Sequence, residues 1–524
     1  MKIEKIVAKT TDLENGEMKE FLVGEVEVLL VRDNNNFYAL GSTCPHFGAP
    51  LEEGVLHQHH IRCPWHQACF DVVTGDLKEP PSLDSLARFD VRIEDDNVIV
   101  IVEEDASETR HPDMAKYNPD ADKQTFIIVG TGAAGATAAE AMRQGGFEGK
   151  ILMLTKESRL PYDRTGLSKG FLKSEDQEPE MLRSEEFYSE YGIEVLTGHN
   201  VTGVDAHSKK LMLDNGKYLK YDKVLLAPGS IPREVDVPGA GLDNVITLRN
   251  PDNSLKIRSL AQKGAKLVII GASFIGMEIS ANLAEKGLYI TIVAPEELPY
   301  QRILGAEVGS MYKEIHENSG TVFKLGRKVA RFEGNKSVEK VVLDNGETLE
   351  SDFVVTGVGV RPATDFLKNM ELNPDRSVTV DKHFQVTEDI YAAGDIVSFI
   401  DWRSGERIRI EHWRLAEQLG RVAGFNMAGK ETEYRSIPFF WTNQLGVNLR
   451  YVGYAKDWDE IIFHGKPSMR NFVAYYIKND KVMAASGAGK IAHMPAIAEL
   501  MRTDQMPEPD ELRQGIVNMT KRLN

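Results

Sequence analysis

TFIIVGTGAAGATAAEAMRQGGFEGKILML, residues 125–154, decides the architecture of this chain. TFIIV is a short apolar run of β-branched and aromatic type, the pattern of a strand buried on both faces. Glycines follow at 130, 132 and 135, a helix of small residues comes next, and KILML starts a second strand. In such a βαβ unit Gly130 permits the tight turn, Gly132 lets a pyrophosphate approach the backbone, and Gly135 lets helix and strand pack closely. The helix N-terminus then offers its positive end to the phosphates. The pattern returns as AKLVIIG, ASFIGMEISANLAEKG and YITIV, with Gly271, Ser273 and Gly276; Gly271 lies 141 residues after Gly130. A duplication of this kind predicts two Rossmann-like α/β nucleotide-binding domains. Each unit calls for an acid beyond its second strand to hold ribose hydroxyls. Glu157, 22 residues past Gly135, is the candidate in the first copy, with a solvated loop acid as the alternative. In the second copy Ala294 occupies the usual place, and Glu296 stands 20 residues past Gly276. Arg302 is nearby, but no arginine cluster awaits a 2′-phosphate, so NADH is favoured over NADPH.

Ahead of this region stand Cys44-Pro-His46 and Cys63-Pro-Trp-His66, both in loops marked by Gly and Pro. Two thiolates and two imidazoles match a [2Fe–2S] centre in which two His replace two Cys on one iron. Structural zinc also takes Cys2His2, but its usual order is C-x2–4-C followed by H-x3–5-H. Here each Cys has its own His at short range, which favours the iron–sulfur centre. Cys69, the remaining cysteine, reads as a packed thiol.

The chain has 524 residues, enough for roughly three or four domains. A net charge of −17 argues against nucleic-acid and anionic-membrane partners. It leaves room for a basic redox partner, with a solvated acidic surface as the plainer explanation. Three cysteines leave no disulfide framework, and the N-terminal MKIEKIVAKTTDLENGE has no apolar targeting core. No stretch reaches the roughly 18 apolar residues of a membrane span. The expected compartment is the cytoplasm. Alternating strand patterns fill residues 1–104, and a polar, Pro-containing linker occupies 105–123. The first nucleotide domain is expected at 124–252 and 377–435, with the second inserted at 253–376. Aromatic strands in FFWTNQLGVNLRYVGY and RNFVAYYIKNDKVMAAS, then the helical PAIAELMR, predict an α+β C-terminal domain over 436–524.

CPHFGAPLEEG and CPWHQACFDVVTG resemble the cluster loops of Rieske ferredoxins. The resemblance implies an antiparallel β domain, with Cys44 and Cys63 on one iron and His46 and His66 on the other. High-potential Rieske proteins carry an extra Cys in each loop. Ala49 and Trp65 stand at those places here, and Gln67 and Ala68 replace a Gly-Ser pair, so a potential near the low end of the range, roughly −150 mV, is expected. The nested nucleotide domains resemble the two-dinucleotide flavoprotein reductases, which implies FAD in the first and NADH in the second, with NADPH left open. Pro161-Tyr-Asp-Arg164-Thr-Gly-Leu-Ser168-Lys169 resembles the ferredoxin-reductase and apoptosis-inducing-factor branch, although Thr165 stands where a Pro is usual. That resemblance implies Arg164 and Lys169 near the flavin, and Lys169 paired with Glu278 beside the reactive ring edge. It implies Asp395, in IYAAGD, on the ribityl chain, and Gly359, in VTGVG, on the strand closing the nicotinamide domain. Glu411 and His412 would lie near the rings, Trp441 against the isoalloxazine, and Val201 and Arg249 on the adenine and phosphate side.

Domain order, Rieske first and reductase second, is similar to the Rieske-bearing apoptosis-inducing-factor-like proteins. The activity implied is electron transfer from NADH through FAD to the [2Fe–2S] cluster and on to an acceptor that the sequence does not name. A redox-switched interaction protein with slow NADH oxidation is the alternative, and the resemblance is compatible with a homodimer. A Rieske oxygenase would need a mononuclear iron on two His and a carboxylate. The other clustered His, at 57, 59 and 60, read instead as exposed strand or loop positions.

Overall fold

The computed structural model describes residues 1–174, 177–489 and 493–523. Its N-terminal part is antiparallel β. Six strands pair in the order Lys2–Lys9, Asn97–Glu103, Arg88–Glu94, Asn36–Gly41, Val26–Asp33 and Met18–Val23. A smaller four-stranded sheet, Val55–His57, His60–Arg62, Cys69–Asp71 and Leu77–Glu79, carries the second Cys–His loop between its middle strands. Residues 105–123, the expected linker, are bonded to the elements on either side. Thr109–Arg110 pairs with Ser85–Leu86, and the amides of Ala115 and Asn118 bond the carbonyls of Arg143 and Glu148.

The two nucleotide units form separate parallel sheets. In the first, Ile193–Leu196, Lys150–Leu154, Thr125–Val129, Lys223–Leu226 and Ile390–Ala392 are neighbours in that order, with Gln385–Thr387 antiparallel on the edge. Leu226 and Ala392 are partners in adjacent strands, so the chain between Leu226 and the edge strand Gln385–Thr387 is an excursion from this sheet. The excursion builds the second sheet, Val245–Thr247, Phe353–Thr356, Lys266–Ile270, Tyr289–Ala294 and Val322–Leu325, all parallel. Its edge strand Val245–Thr247 lies on the flavin side of the boundary expected at 252/253. Near-continuous Val, Ile and Leu in these strands follow from burial on both faces.

Helix Ala133–Gln144 crosses helix Trp413–Met427 with backbones in contact. A Cβ on Gly420 would stand 2.1 Å from the Ala134 carbonyl oxygen, and one on Gly424 would stand 2.5 Å from that of Ala138. Glycines four residues apart share one helix face, so this stripe lets Trp413–Met427 sit against the first nucleotide turn and brings His412, just before it, to the site. The C-terminal domain is an antiparallel sheet, Phe439–Gln444, Val447–Gly453, Lys481–Ala488, Asn471–Lys478 and Glu460–Lys466, with helix His493–Arg502 packed on it. The strand Glu460–Lys466 and the short helices Pro509–Gln514 and Met519–Leu523 were not foreseen from the sequence. No described helix is long and apolar enough to cross a membrane.

Candidate active site: two cofactor sites and an aromatic bridge

The two Cys–His loops close in the same way. The Cys44 amide bonds the Ala49 carbonyl at 2.9 Å and the Cys63 amide bonds that of Ala68 at 2.8 Å, so each loop turns back after five residues. The four side chains converge at one tip. Nδ1 of His46 and Nδ1 of His66 are 3.1 Å apart, and both cysteines are buried. Burial pushes the imidazoles down, to about 3 for His46 and about 2 for His66, so both are neutral and free to ligate. Contact with the Cys63 thiol and then burial push Cys44 up. Burial also opposes ionisation of Cys63, but contact with Cys44 and the amides of His66 and Trp65 outweigh it and leave that thiol below its usual range. Among the described residues no three His, Cys, Asp or Glu side chains converge on one ion position. Two thiols and two neutral imidazoles facing one another suit a two-iron cluster, which takes two protein ligands per iron. Cys69 stands apart, buried, its thiol pushed up to about 12 chiefly by burial. His57 and His60 face each other across a hairpin whose turn holds the exposed His59.

A cavity of about 620 Å³ opens at the first glycine turn. Gly130, Gly132, Glu157, Arg164, Val201, Arg249, Asp395, Glu411 and His412 all line it. Gly130 has φ +103°, and a Cβ there would meet the Ala227 carbonyl oxygen at 2.1 Å. By contrast, nothing lies within 4 Å of a Cβ built on Gly132, and no side chain caps the helix that starts there. Unpaired amides facing open space are what a pyrophosphate requires. Nδ1 of His412 is buried and has no partner among the described residues. The shape, the amides and this free nitrogen fit FAD. Gly135 sits behind the wall, where a Cβ would stand 1.9 Å from the Gly130 carbonyl oxygen and 3.1 Å from Ile128. Gly135→Ala is therefore expected to yield protein without bound flavin, whereas Gly132→Ala should fold normally and bind flavin more weakly. Absorbance of the purified proteins in the flavin band checks both.

Glu157 is committed within the site. It accepts from Arg164 Nη2 at 2.6 Å and from the Tyr162 hydroxyl at 2.7 Å. Burial alone would raise its carboxyl, but Arg164 prevails and leaves it below the usual range. Asp395 accepts from Ser230 at 2.7 Å. Burial pushes Glu411 up despite its ion pair with Arg409. Lys169 and Glu278 do pair, at 3.1 Å, with Glu278 5% exposed, although neither is among the cavity-lining residues. The second turn repeats the first. Gly271 has φ +108°, and a Cβ there would meet the Gly357 carbonyl oxygen at 2.4 Å; one on Gly276 would stand 2.4 Å from the Gly271 carbonyl oxygen. Ser273 precedes the helix and Gly359 has φ +97°. Glu296 and Arg302 are ion-paired at 3.0 Å.

Trp441 is expected from the sequence against the flavin, but it is not among the residues lining that cavity. Its ring centroid is 4.3 Å from that of His66, 6.2 Å from His46 and 5.9 Å from His412. One indole thus touches both the cluster loops and the cavity wall. Charged groups that sequence reasoning missed hold this contact in place. Glu79 of the N-terminal β part accepts from Arg62 at 3.2 Å, Arg414 at 2.9 Å and Gln418 at 3.0 Å. Arg62 also reaches Glu499 of the C-terminal helix, Arg183 bridges Asp84 and Glu140, and Arg450 donates to the Trp65 carbonyl at 3.0 Å.

Comparison with known proteins agrees with this layout. Residues 4–90 match the Rieske [2Fe-2S] domain, 124–420 the pyridine nucleotide-disulphide oxidoreductase family, and 439–523 the reductase C-terminal domain. Apoptosis-inducing factor 3 of Homo sapiens is 40% identical over 512 residues, 95% of this chain and 84% of that protein. The benzene 1,2-dioxygenase system ferredoxin–NAD(+) reductase subunit of Pseudomonas putida is 28% identical and covers 75% of this chain and 96% of its own. Among solved structures, the ferredoxin reductase for the CYP199A2 system from Rhodopseudomonas palustris superposes with a TM-score of 0.73 at 29% identity, over 77% of this chain and all of that one.

Proposed function

We propose that this chain, which belongs to the pyridine nucleotide-disulphide oxidoreductase family and is an NADH-dependent FAD oxidoreductase with a Rieske [2Fe-2S] domain, delivers its electrons to its own cluster before they leave for a one-electron acceptor. When bound, NADH supplies a hydride, FAD accepts two electrons and releases them singly, and the cluster takes them one at a time. The relative from Pseudomonas putida is by name a reductase for a ferredoxin. Here a ferredoxin-like module is built into the chain. The observation that carries the proposal is Trp441, in ring contact with His66 on one side and His412 on the other.

Each residue then has a definite task. Cys44, His46, Cys63 and His66 hold the cluster. Gly130, Gly132 and the helix behind them seat the flavin pyrophosphate, Arg249 adds positive charge there, and Asp395 accepts from the ribityl chain. Glu157 keeps Arg164 oriented, and Val201 lines the adenine end. His412 offers its free Nδ1 to the ring system, with Glu411 beside it. The Lys169 ammonium, held by the Glu278 carboxylate at 3.1 Å, would face the edge of the flavin ring and stabilise negative charge there. Gly271, Ser273, Gly276 and Gly359 shape the nicotinamide dinucleotide turn, and Glu296 takes the ribose while its pairing with Arg302 withholds that cation from a 2′-phosphate. Anaerobic titration with NADH, followed by visible absorbance and electron paramagnetic resonance, tests the proposal. Flavin and cluster are expected to be reduced together. Reduced flavin beside an oxidised cluster, with a mediator present, would contradict it.

A further inference from the structure

A line of buried polar side chains runs from Glu278 through Thr442, Gln444 and His316 to Ser280, and the reaction described so far does not use it. Glu278 Oε2 accepts from Ser168 at 2.6 Å and pairs with Lys169 at 3.1 Å; its other oxygen meets Thr442 Oγ1 at 2.8 Å. Thr442 Oγ1 is 2.9 Å from Gln444 Nε2, which also reaches the Tyr300 hydroxyl at 2.7 Å. Gln444 Oε1 faces His316 Nε2 at 3.0 Å. His316 Nδ1 faces Ser280 Oγ at 3.3 Å, and Ser280 meets Thr321 at 2.9 Å. Thr442, Gln444, Ser280 and His316 are all 1% exposed or less.

The direction of every bond follows from the charged end. A carboxylate only accepts, so the Thr442 hydroxyl donates to Glu278. The Thr442 oxygen is then left to accept, which fixes the amide group of Gln444 toward it and the carbonyl of Gln444 toward His316. His316 must therefore carry its proton on Nε2 and accept at Nδ1 from Ser280. Burial pushes His316 down to about 4, which agrees with a neutral ring. Aligned bonds of this kind polarise one another, and a buried chain in low dielectric has little freedom to reorient. Strand periodicity explains how it is supplied. Residues 440, 442 and 444 share one face of Phe439–Gln444, while Trp441 points to the other face and the cluster.

We propose that Thr442, Gln444 and His316 are positioning residues that hold Glu278 in one place as an acceptor and so fix the Lys169 ammonium at the flavin edge. The proposal rests on the assignment of Lys169 and Glu278 to that edge. In Thr442→Val the carboxylate loses one donor and Gln444 loses its acceptor. In the fully loaded protein the flavin potential is expected to become more negative, because the cation is held less firmly. Reduction of the flavin by NADH should slow about tenfold with little change in KM, the factor that about 1.4 kcal/mol of one charge-assisted hydrogen bond represents. Thr442→Ser, which keeps the hydroxyl, should restore both. Gln444→Met should shift the potential in the same direction, and it carries the test if Thr442→Val fails to fold. Lys169→Met separates the two levels. If it changes the potential and the rate while Thr442→Val and Gln444→Met do not, the positioning role is overturned and the flavin-edge assignment stands. If Lys169→Met changes neither, the assignment fails and the positioning role with it.

Discussion

Glu79→Ala is expected to unseat the Rieske domain from the reductase. Arg62 and Arg414 are 5% and 1% exposed, and both direct a guanidinium at this one carboxylate from opposite sides of the domain boundary. Removing it leaves two buried cations with only Glu499 and backbone carbonyls to face, and breaking a buried pair from one side costs about 3–5 kcal/mol. That is a large share of the stability of a domain contact. The expected results are a lower unfolding midpoint and rapid protease cleavage within residues 105–123, while flavin reduction by NADH is unaffected. The same carboxyl sets the acid limit of the contact. Burial opposes its ionisation, but Arg62 and Arg414 prevail and bring it from 4.5 to about 2. A carboxyl depressed in the folded state adds stability above its unfolded pKa and loses it as pH falls through the folded one. The contact should therefore hold at neutral pH and weaken between about pH 4.5 and pH 2.

Trp441→Leu is expected to separate the two halves of the reaction. Leucine keeps the site apolar but ends the ring contacts with His66, at 4.3 Å, and with His412, at 5.9 Å. The cavity wall and the Lys169–Glu278 pair do not include the indole. Reduction of the flavin by NADH should keep its rate, and reduction of the cluster should slow by about tenfold or more, equivalent to about 1.4 kcal/mol in barrier. Stopped-flow absorbance at flavin and cluster wavelengths resolves the two steps. Equal slowing of both would place Trp441 on the flavin side, as the sequence suggested.

The parts of the fold that sequence made legible are those where chemistry leaves one residue type. Gly130, Gly135, Gly271 and Gly276 stand where a Cβ would strike backbone oxygen, and the two Cys–His loops close alike, Cys44 on Ala49 and Cys63 on Ala68. The domain contact was not legible for the opposite reason. Arg62 and Glu499 are 437 residues apart, and along the chain each looks like any solvated charge. Arg414, Arg183 and Glu79 are equally unmarked until the fold brings them together. The alternation of Phe439–Gln444 was visible, but not what either face would meet, so Trp441 was expected at the flavin. Residues 105–123 were legible as a linker, but their backbone bonds to Arg143 and Glu148 leave no trace in side-chain pattern. The helices Pro509–Gln514 and Met519–Leu523 are too short to show a period.

The proposed transfer carries electrons from flavin to cluster within one chain. Its most direct test is the rate of cluster reduction after anaerobic mixing with excess NADH, measured over a wide range of protein concentration. Transfer through the Trp441 contact predicts a first-order rate that does not change on dilution. A rate that rises in proportion to protein concentration would show that the cluster is served by a second molecule, and would rule out transfer within one chain.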